Sequence, residues 1–163
     1  MKLKPGKHAA FTLLVVASLF HNSEEALTIC RSMVTSPVEF FQPLSCLQFL
    51  WAVSTLSIAV LLFWIVALRT EKPAVNHFIS TAIAASILFN VFIPHVVAAL
   101  YTFSYTPGLI TALMLNLPLS LIVLKRNQNE IGIKAKFIKY IIVGLILGYL
   151  FFASIMFLVR YLV

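Results

Sequence analysis

The chain has 163 residues, 61% of them hydrophobic and 10% charged, with a mean hydropathy of +1.02. A soluble domain runs near half apolar and a quarter charged and cannot bury so much apolar surface in a core of this size, which excludes an ordinary globular domain and leaves the bilayer as solvent. The net charge of +7 does not indicate nucleic acid, because the cations flank apolar runs instead of forming a basic face with aromatic support.

With the charges as boundaries, five apolar segments are predicted as transmembrane helices of one membrane domain over residues 1–163, at about 8–28, 44–68, 74–103, 107–124 and 137–159. Each is near or above the roughly 20 residues that cross the hydrocarbon. Lys2, Lys4 and Lys7 followed by Ala9–Phe20 also have the form of a signal peptide's first two regions. No small-x-small site precedes His21, so the expectation is an uncleaved first helix.

The end of that segment reads His21-Asn22-Ser23-Glu24-Glu25. Residues three and four apart share a helix face, so His21, Glu24 and Glu25 are expected to point the same way, with Thr28 continuing the face. Counted from Lys7 at ~1.5 Å per residue, His21 lies ~21 Å across the bilayer and the glutamates ~26 Å. An ionised carboxylate costs about 2.5–3.5 kcal/mol near the bilayer centre, less toward the interface, and two adjacent ones repel. The offset can come from Arg31, a proton, a metal or polar groups on other helices. The plainer alternative is a hydrated interfacial pair bridged to Arg31, with His21 bonded to Asn90 or a carbonyl.

Cys30 and Cys46 fall at the outer ends of the first two segments. A bridge would close the loop between them, and an extracytoplasmic location permits it, but two ordinary unpaired cysteines are the preferred reading. Between Lys72 and Lys125 lie 52 residues without a charge, too many for one helix. Tyr105-Thr106-Pro107-Gly108 supplies the turn that splits them.

By the same count from Lys72, Asn90 lies ~27 Å across and His95 ~35 Å, so both reach the depth of the glutamate pair. Pro94 lacks the N–H that would bond the Asn90 carbonyl, so a kink is expected there. Beyond the turn, Thr111 enters the same layer and Asn116 goes deeper. His77 lies ~8 Å from the inner boundary and is read as interfacial or locally satisfied, as is His8. In the last segment, Gly144 and Gly148 form a GxxxG pattern that suits either packing within the chain or a homodimer.

Loop charge sets the sidedness. With five spans, ten of the twelve cations, Lys2, Lys4, Lys7, Arg69, Lys72, Lys125, Arg126, Lys134, Lys136 and Lys139, fall on one side. The positive-inside rule then gives N-terminus in and C-terminus out. Four spans would put the basic clusters on opposite faces. Trp64, Tyr101, Tyr105, Tyr140 and Tyr161 fit interfacial belts.

A histidine and a carboxylate on one helix face, with a second histidine at the same depth, suit a divalent metal with N/O ligands. His21, Glu25 and His95 supply three ligands and leave a fourth position open, as catalytic sites require. Glu24 is then the candidate general base, and Asn90, Thr111 and Asn116 are supporting polar groups. The spacing is one residue away from the inverted zincin pattern H-x-x-E-H, an analogy of chemistry only.

His21-Asn22-Ser23-Glu24-Glu25, Phe89-Asn90-Val91-Phe92-Ile93-Pro94-His95 and the stretch from Tyr105 through Leu117-Pro118 together resemble the HXXEE-domain family of uncharacterised multi-pass membrane proteins. The resemblance runs from the first segment through the fourth. It implies a shared polar site at His21, Glu24, Glu25, Asn90 and His95, for which an enzymatic role has been suggested, without naming a reaction. Asn76-His77 competes for the role of the second Asn and His.

The expectation is therefore an all-α protein of the cell membrane, in a bacterial inner or plasma membrane, holding one divalent ion (Zn, Fe or Mn). It would hydrolyse a lipid or a membrane-borne small molecule. The alternatives are a non-enzymatic ion, proton or small-molecule binder and a structural partner subunit.

Overall fold

A computed structural model describes residues 8–32 and 45–162. Lys2, Lys4, Lys7 and Glu39, and the side chains of Cys30 and Arg31, lie outside the described residues, and so do the expectations placed on them. The described residues form helices and turns, with no strand among them. In chain order the helices are α1 (Ala9–Ser32), α2 (Cys46–Arg69), α3 (Pro73–Thr102), α4 (Leu109–Ile131) and α5 (Lys134–Leu162).

Local chemistry sets their ends. Ser45 caps α2: its hydroxyl accepts from the Gln48 amide at 3.1 Å, and the Gln48 side chain accepts from the Ser45 amide at 3.0 Å. This reciprocal box satisfies two of the amides a helix start leaves orphaned. Pro73 opens α3 at a position that needs no amide donor. Gly132, at φ +67°, terminates α4, a backbone conformation glycine adopts without steric cost.

Four of the five helices, α2 to α5, are long and apolar enough to cross a membrane. Five such segments were expected. The correction concerns α1: its 24 residues are long enough, but His21, Asn22, Ser23, Glu24 and Glu25 dilute its apolar character. The structure gives it a reason for that composition. Phe11, Leu14, Val15, Ser18 and His21 are buried at helical spacing, and α1 packs against α2 and α4. Phe11, Leu14 and Val15 join Ala67, Ile79, Ala84 and Val123 in the main core, and the Trp64 indole donates to the Thr12 hydroxyl at 3.1 Å.

α3 is the central element, touching α2, α4 and α5. Its small residues permit that. A Cβ on Gly144 would lie 2.6 Å from the Ala82 backbone, and one on Gly148 would lie 2.7 Å from the Ser86 hydroxyl. The GxxxG pattern thus serves close helix approach within the chain. Cys46 is disulfide-bonded, so the expectation of two unpaired cysteines is not met; the side chain that pairs with it is not among those described.

The α2–α3 and α4–α5 turns, with Arg69, Lys72 and Lys134, mark one end of the bundle, here the basic end. The α3–α4 loop marks the other. His77 lies toward the basic end, where its Nε2 is 3.8 Å from Glu130, itself bonded to Arg126 at 2.7 Å. This agrees with its reading as remote from the glutamate pair.

Candidate metal centre

The site forms where α1 meets the broken part of α3 and the loop into α4. His21 and Glu25 are one turn apart on α1, and His21 Nε2 lies 3.7 Å from Glu25 Oε1. The i, i+4 relation makes that pair local. His95 is not local: it comes from the other side of the break in α3, and its Nε2 reaches the same Glu25 oxygen at 3.2 Å. The break spans Val91–Val96, contains Pro94, and puts Ile93 in an extended conformation (φ −125°, ψ 109°), because the proline ring crowds the residue before it out of the helical region.

The break also decides which groups meet. On a regular helix, residues five apart point ~140° apart. Here the Asn90 amide nitrogen is 3.3 Å from His95 Nε2 and 3.3 Å from His21 Nε2. The two imidazole rings stand nearly perpendicular, with centroids 4.7 Å apart. Both histidines are 2% exposed and Glu25 16%.

The tautomer of His21 follows from its partners. Its Nδ1 lies 3.1 Å from the Gly108 carbonyl and 3.0 Å from the Thr111 hydroxyl. A carbonyl can only accept, so Nδ1 carries a proton, and in the neutral ring Nε2 keeps its lone pair, which faces the Asn90 amide. Thr111 in turn donates its hydroxyl to Glu24 Oε2 at 2.6 Å. The chain Glu24–Thr111–His21 thus resembles the carboxylate partners that fix metal-bound histidines, with a hydroxyl interposed.

Glu24 and Glu25 diverge. Sequence spacing put both on the face of His21, but only Glu25 joins the two histidines. Glu24 Oε2 also accepts from the Thr111 amide at 3.0 Å, and Oε1 accepts from the Tyr105 hydroxyl. Its carboxylate is engaged by the α3–α4 loop. Burial first, then the bond to Glu24, raises the pKa of the Tyr105 phenol above its ordinary value. Thr28 turns back to the Glu24 carbonyl at 2.6 Å.

Gly108 is a site residue that sequence reasoning used only as a turn former. Its φ is +79°, and a Cβ there would lie 2.7 Å from Glu25 Cγ, 2.8 Å from His21 Cε1 and 3.0 Å from His95 Cε1. The loop therefore closes directly over the three side chains. The Pro107-Gly108 pair was the signal, but nothing in a sequence says what a turn covers. Asn116, expected as a supporting group, is buried, and its Oδ1 finds no hydrogen-bond partner among the described residues.

One ligand atom from each of His21, Glu25 and His95 lies within 4.8 Å of the others. Ligands at about 2.1 Å in tetrahedral geometry are roughly 3.4 Å apart, so the separations of 3.7 and 3.2 Å bracket the required spacing. The group could hold a metal ion.

Known proteins resemble this chain over the part that carries the group. A family described as proteins of unknown function with an HXXEE motif matches residues 12–123, a stretch that holds every residue named in the site. An uncharacterised protein of Bacillus subtilis (strain 168), YrkK, is 29% identical over 133 residues, which cover 80% of this chain and 84% of that one. No solved structure matches.

Proposed function

The chain belongs to the HXXEE family of proteins of unknown function, and from that premise we propose a membrane-embedded, metal-dependent hydrolase. His21, Glu25 and His95 hold one divalent ion, and the substrate is a lipid or membrane-borne small molecule. The observation that carries this reading is the convergence of the three ligand atoms within 4.8 Å. Beside it stands the proton fixed on His21 Nδ1, which frees Nε2 for the ion.

When bound, such an ion supplies Lewis-acid polarisation and activates water near neutral pH. The protein's own groups do the rest. Glu25 turns Oε1 to both histidines, which leaves Oε2 to take a proton from the attacking water. Asn90 projects its amide N–H group between the two imidazoles, where it can donate to charge developing on a substrate carbonyl. Glu24, the expected general base, is better read as a positioning residue that acts through Thr111 on His21, because its oxygens are already committed to the α3–α4 loop. The Gly108 turn excludes bulk water from above the histidines.

We place α1 as a fifth span, held among the other helices by its buried face, with the N-terminus in and the C-terminus out. That arrangement puts the basic end on the cytoplasmic side and the site in the outer leaflet of a bacterial plasma membrane. A second reading, a non-enzymatic subunit, draws support from Asn90, whose amide already bridges His21 and His95 at 3.3 Å each and can satisfy them with no ion.

Elemental analysis of protein purified in detergent, without added metal or chelator, tests the two. The hydrolase reading expects about one metal per chain, lost in His21→Ala, Glu25→Gln and His95→Ala. Metal-free wild-type protein whose thermal stability ignores both chelator and added Zn, Fe or Mn overturns it and favours the second.

A further inference from the structure

Below the site, α4 carries a second buried polar feature. Asn116, Ser120 and Asn127 are buried at i, i+4 and i+11, the spacing of one helix face. At the far end of this row, the Asn127 amide donates to Ser80 at 2.8 Å and to Thr81 at 3.0 Å, and Ser80 passes its hydroxyl to the Asn76 carbonyl at 2.8 Å. At the near end, Asn116 and Ser120 are 1% and 0% exposed. Yet among the described residues Asn116 Oδ1 and Ser120 Oγ have no hydrogen-bond partner. Buried polar atoms are satisfied in the great majority of cases, by protein or by ordered water.

The row has a direction. α3 and α4 are antiparallel neighbours with the same ~1.5 Å rise. Because Asn127 is level with Ser80 and Thr81, Ser120 is level with Ile87–Leu88 and Asn116 with Val91, next to Asn90. The row therefore begins at the floor of the His21–Glu25–His95 site and runs ~16 Å toward the basic end. There a recess lined by His8, Asn76, Ser80, Arg126, Asn127 and Glu130 shares Asn127 with it. None of the row's side chains is charged, so it suits a neutral hydrogen-bonding molecule and not an ion, which would need compensating charge inside a membrane.

We infer that Asn116 and Ser120 bind water and that the row is a water path from the recess to the site. Its use follows from the chemistry. Each hydrolysis consumes one water, whose OH goes to the carbonyl carbon and whose proton goes to the leaving group, and a site closed by Gly108 within a bilayer has to import it. This supply role rests on the hydrolase reading; the hydration of the row does not.

Radiolytic hydroxyl labelling in H2 18O, on protein in lipid nanodiscs, reads the path directly. Val91 is level with Asn116 and does not line the recess, and Val15 lies in the α1 core; they share a residue type and are 0% and 2% exposed. The expected result is oxidation of Val91 at least about five-fold faster than of Val15, because bound water is the radical source. The ratio should fall to about one in Asn116→Leu/Ser120→Ala, with metal content unchanged. Equal rates at Val91 and Val15 in the wild type overturn the proposal, and so does a ratio that survives in a folded double variant. The wild-type comparison needs no variant, so a variant that fails to fold leaves the test intact. Loss of the metal finding with the labelling ratio preserved sinks the hydrolase reading alone.

Discussion

Replacing Gly108 by Ala tests whether the α3–α4 loop seals the site. Two effects act together. An L-residue at φ +79° bears about 1–2 kcal/mol of backbone strain. The new methyl group also meets Glu25, His21 and His95 at 2.7–3.0 Å, and overpacking of this kind costs about 1–3 kcal/mol. Gly132→Ala separates the two effects. Gly132 has nearly the same φ, +67°, but nothing within 4 Å of a Cβ, so it carries the strain alone. The gain from restricting the unfolded chain is common to both variants and cancels in their difference. With roughly 2–4 °C per kcal/mol for a chain of this size, Gly132→Ala is expected to lower the unfolding midpoint by about 2–8 °C and Gly108→Ala by clearly more. Only Gly108→Ala should lose metal. The assay is thermal unfolding in one detergent, with elemental analysis of the same samples. Equal midpoints for the two variants, with metal retained in both, would refute the claim that Gly108 packs on the three ligands.

Thr111→Val keeps the shape of the side chain but breaks the Glu24–Thr111–His21 chain, and is expected to weaken metal binding about 10–100-fold, while Thr111→Ser restores it; a competition titration with a chromogenic chelator reads this. Gly144→Ala drives a methyl into the α3 backbone at Ala82, whereas Gly148→Ala meets only the Ser86 hydroxyl, so the first is expected to be the more destabilising, by about 1–3 kcal/mol, as measured by thermal unfolding. Tyr105 should ionise later than an ordinary tyrosine, near pH 10, because burial and Glu24 raise its pKa. The native state then holds this proton more tightly than the unfolded chain, so the associated stability is complete below the ordinary value and is lost as pH rises through the raised one. Ultraviolet titration of wild type against Tyr105→Phe should show that the missing phenol is a late one; an early missing phenol contradicts the bond to Glu24.

Much of the architecture follows from residues read singly. The 61% hydrophobic content and the placement of Arg69, Lys72, Lys125 and Lys134 between apolar runs determine the helices, because a membrane helix satisfies its backbone internally and needs only length and apolar side chains. The turn at Tyr105–Gly108, the interruption at Pro94 and the His21–Glu25 pair are equally local, since each depends on residues at most a few positions apart. α1 is the instructive exception. It was expected as a span like the others; its polar end dilutes its apolar character, and only its packing against α2 and α4 shows why that composition is tolerated.

The tertiary structure decided what one-dimensional spacing cannot carry. Glu24 and Glu25 are chemically identical neighbours, and their different partners, Tyr105 and Thr111 for one and two histidines for the other, depend on how a loop 80 residues away folds back. His95 was expected by depth alone; the break at Val91–Val96 brings it to the face of Asn90. Gly108 was read as a turn and proved to be a lid, because the space a missing side chain leaves is defined by atoms from α1 and α3. The sequence by itself determined that His21 and Glu25 would share a helix face inside an apolar chain. Which histidine would complete them, and what would cover them, are questions of distance between segments remote along the chain, and only the packed helices answer them.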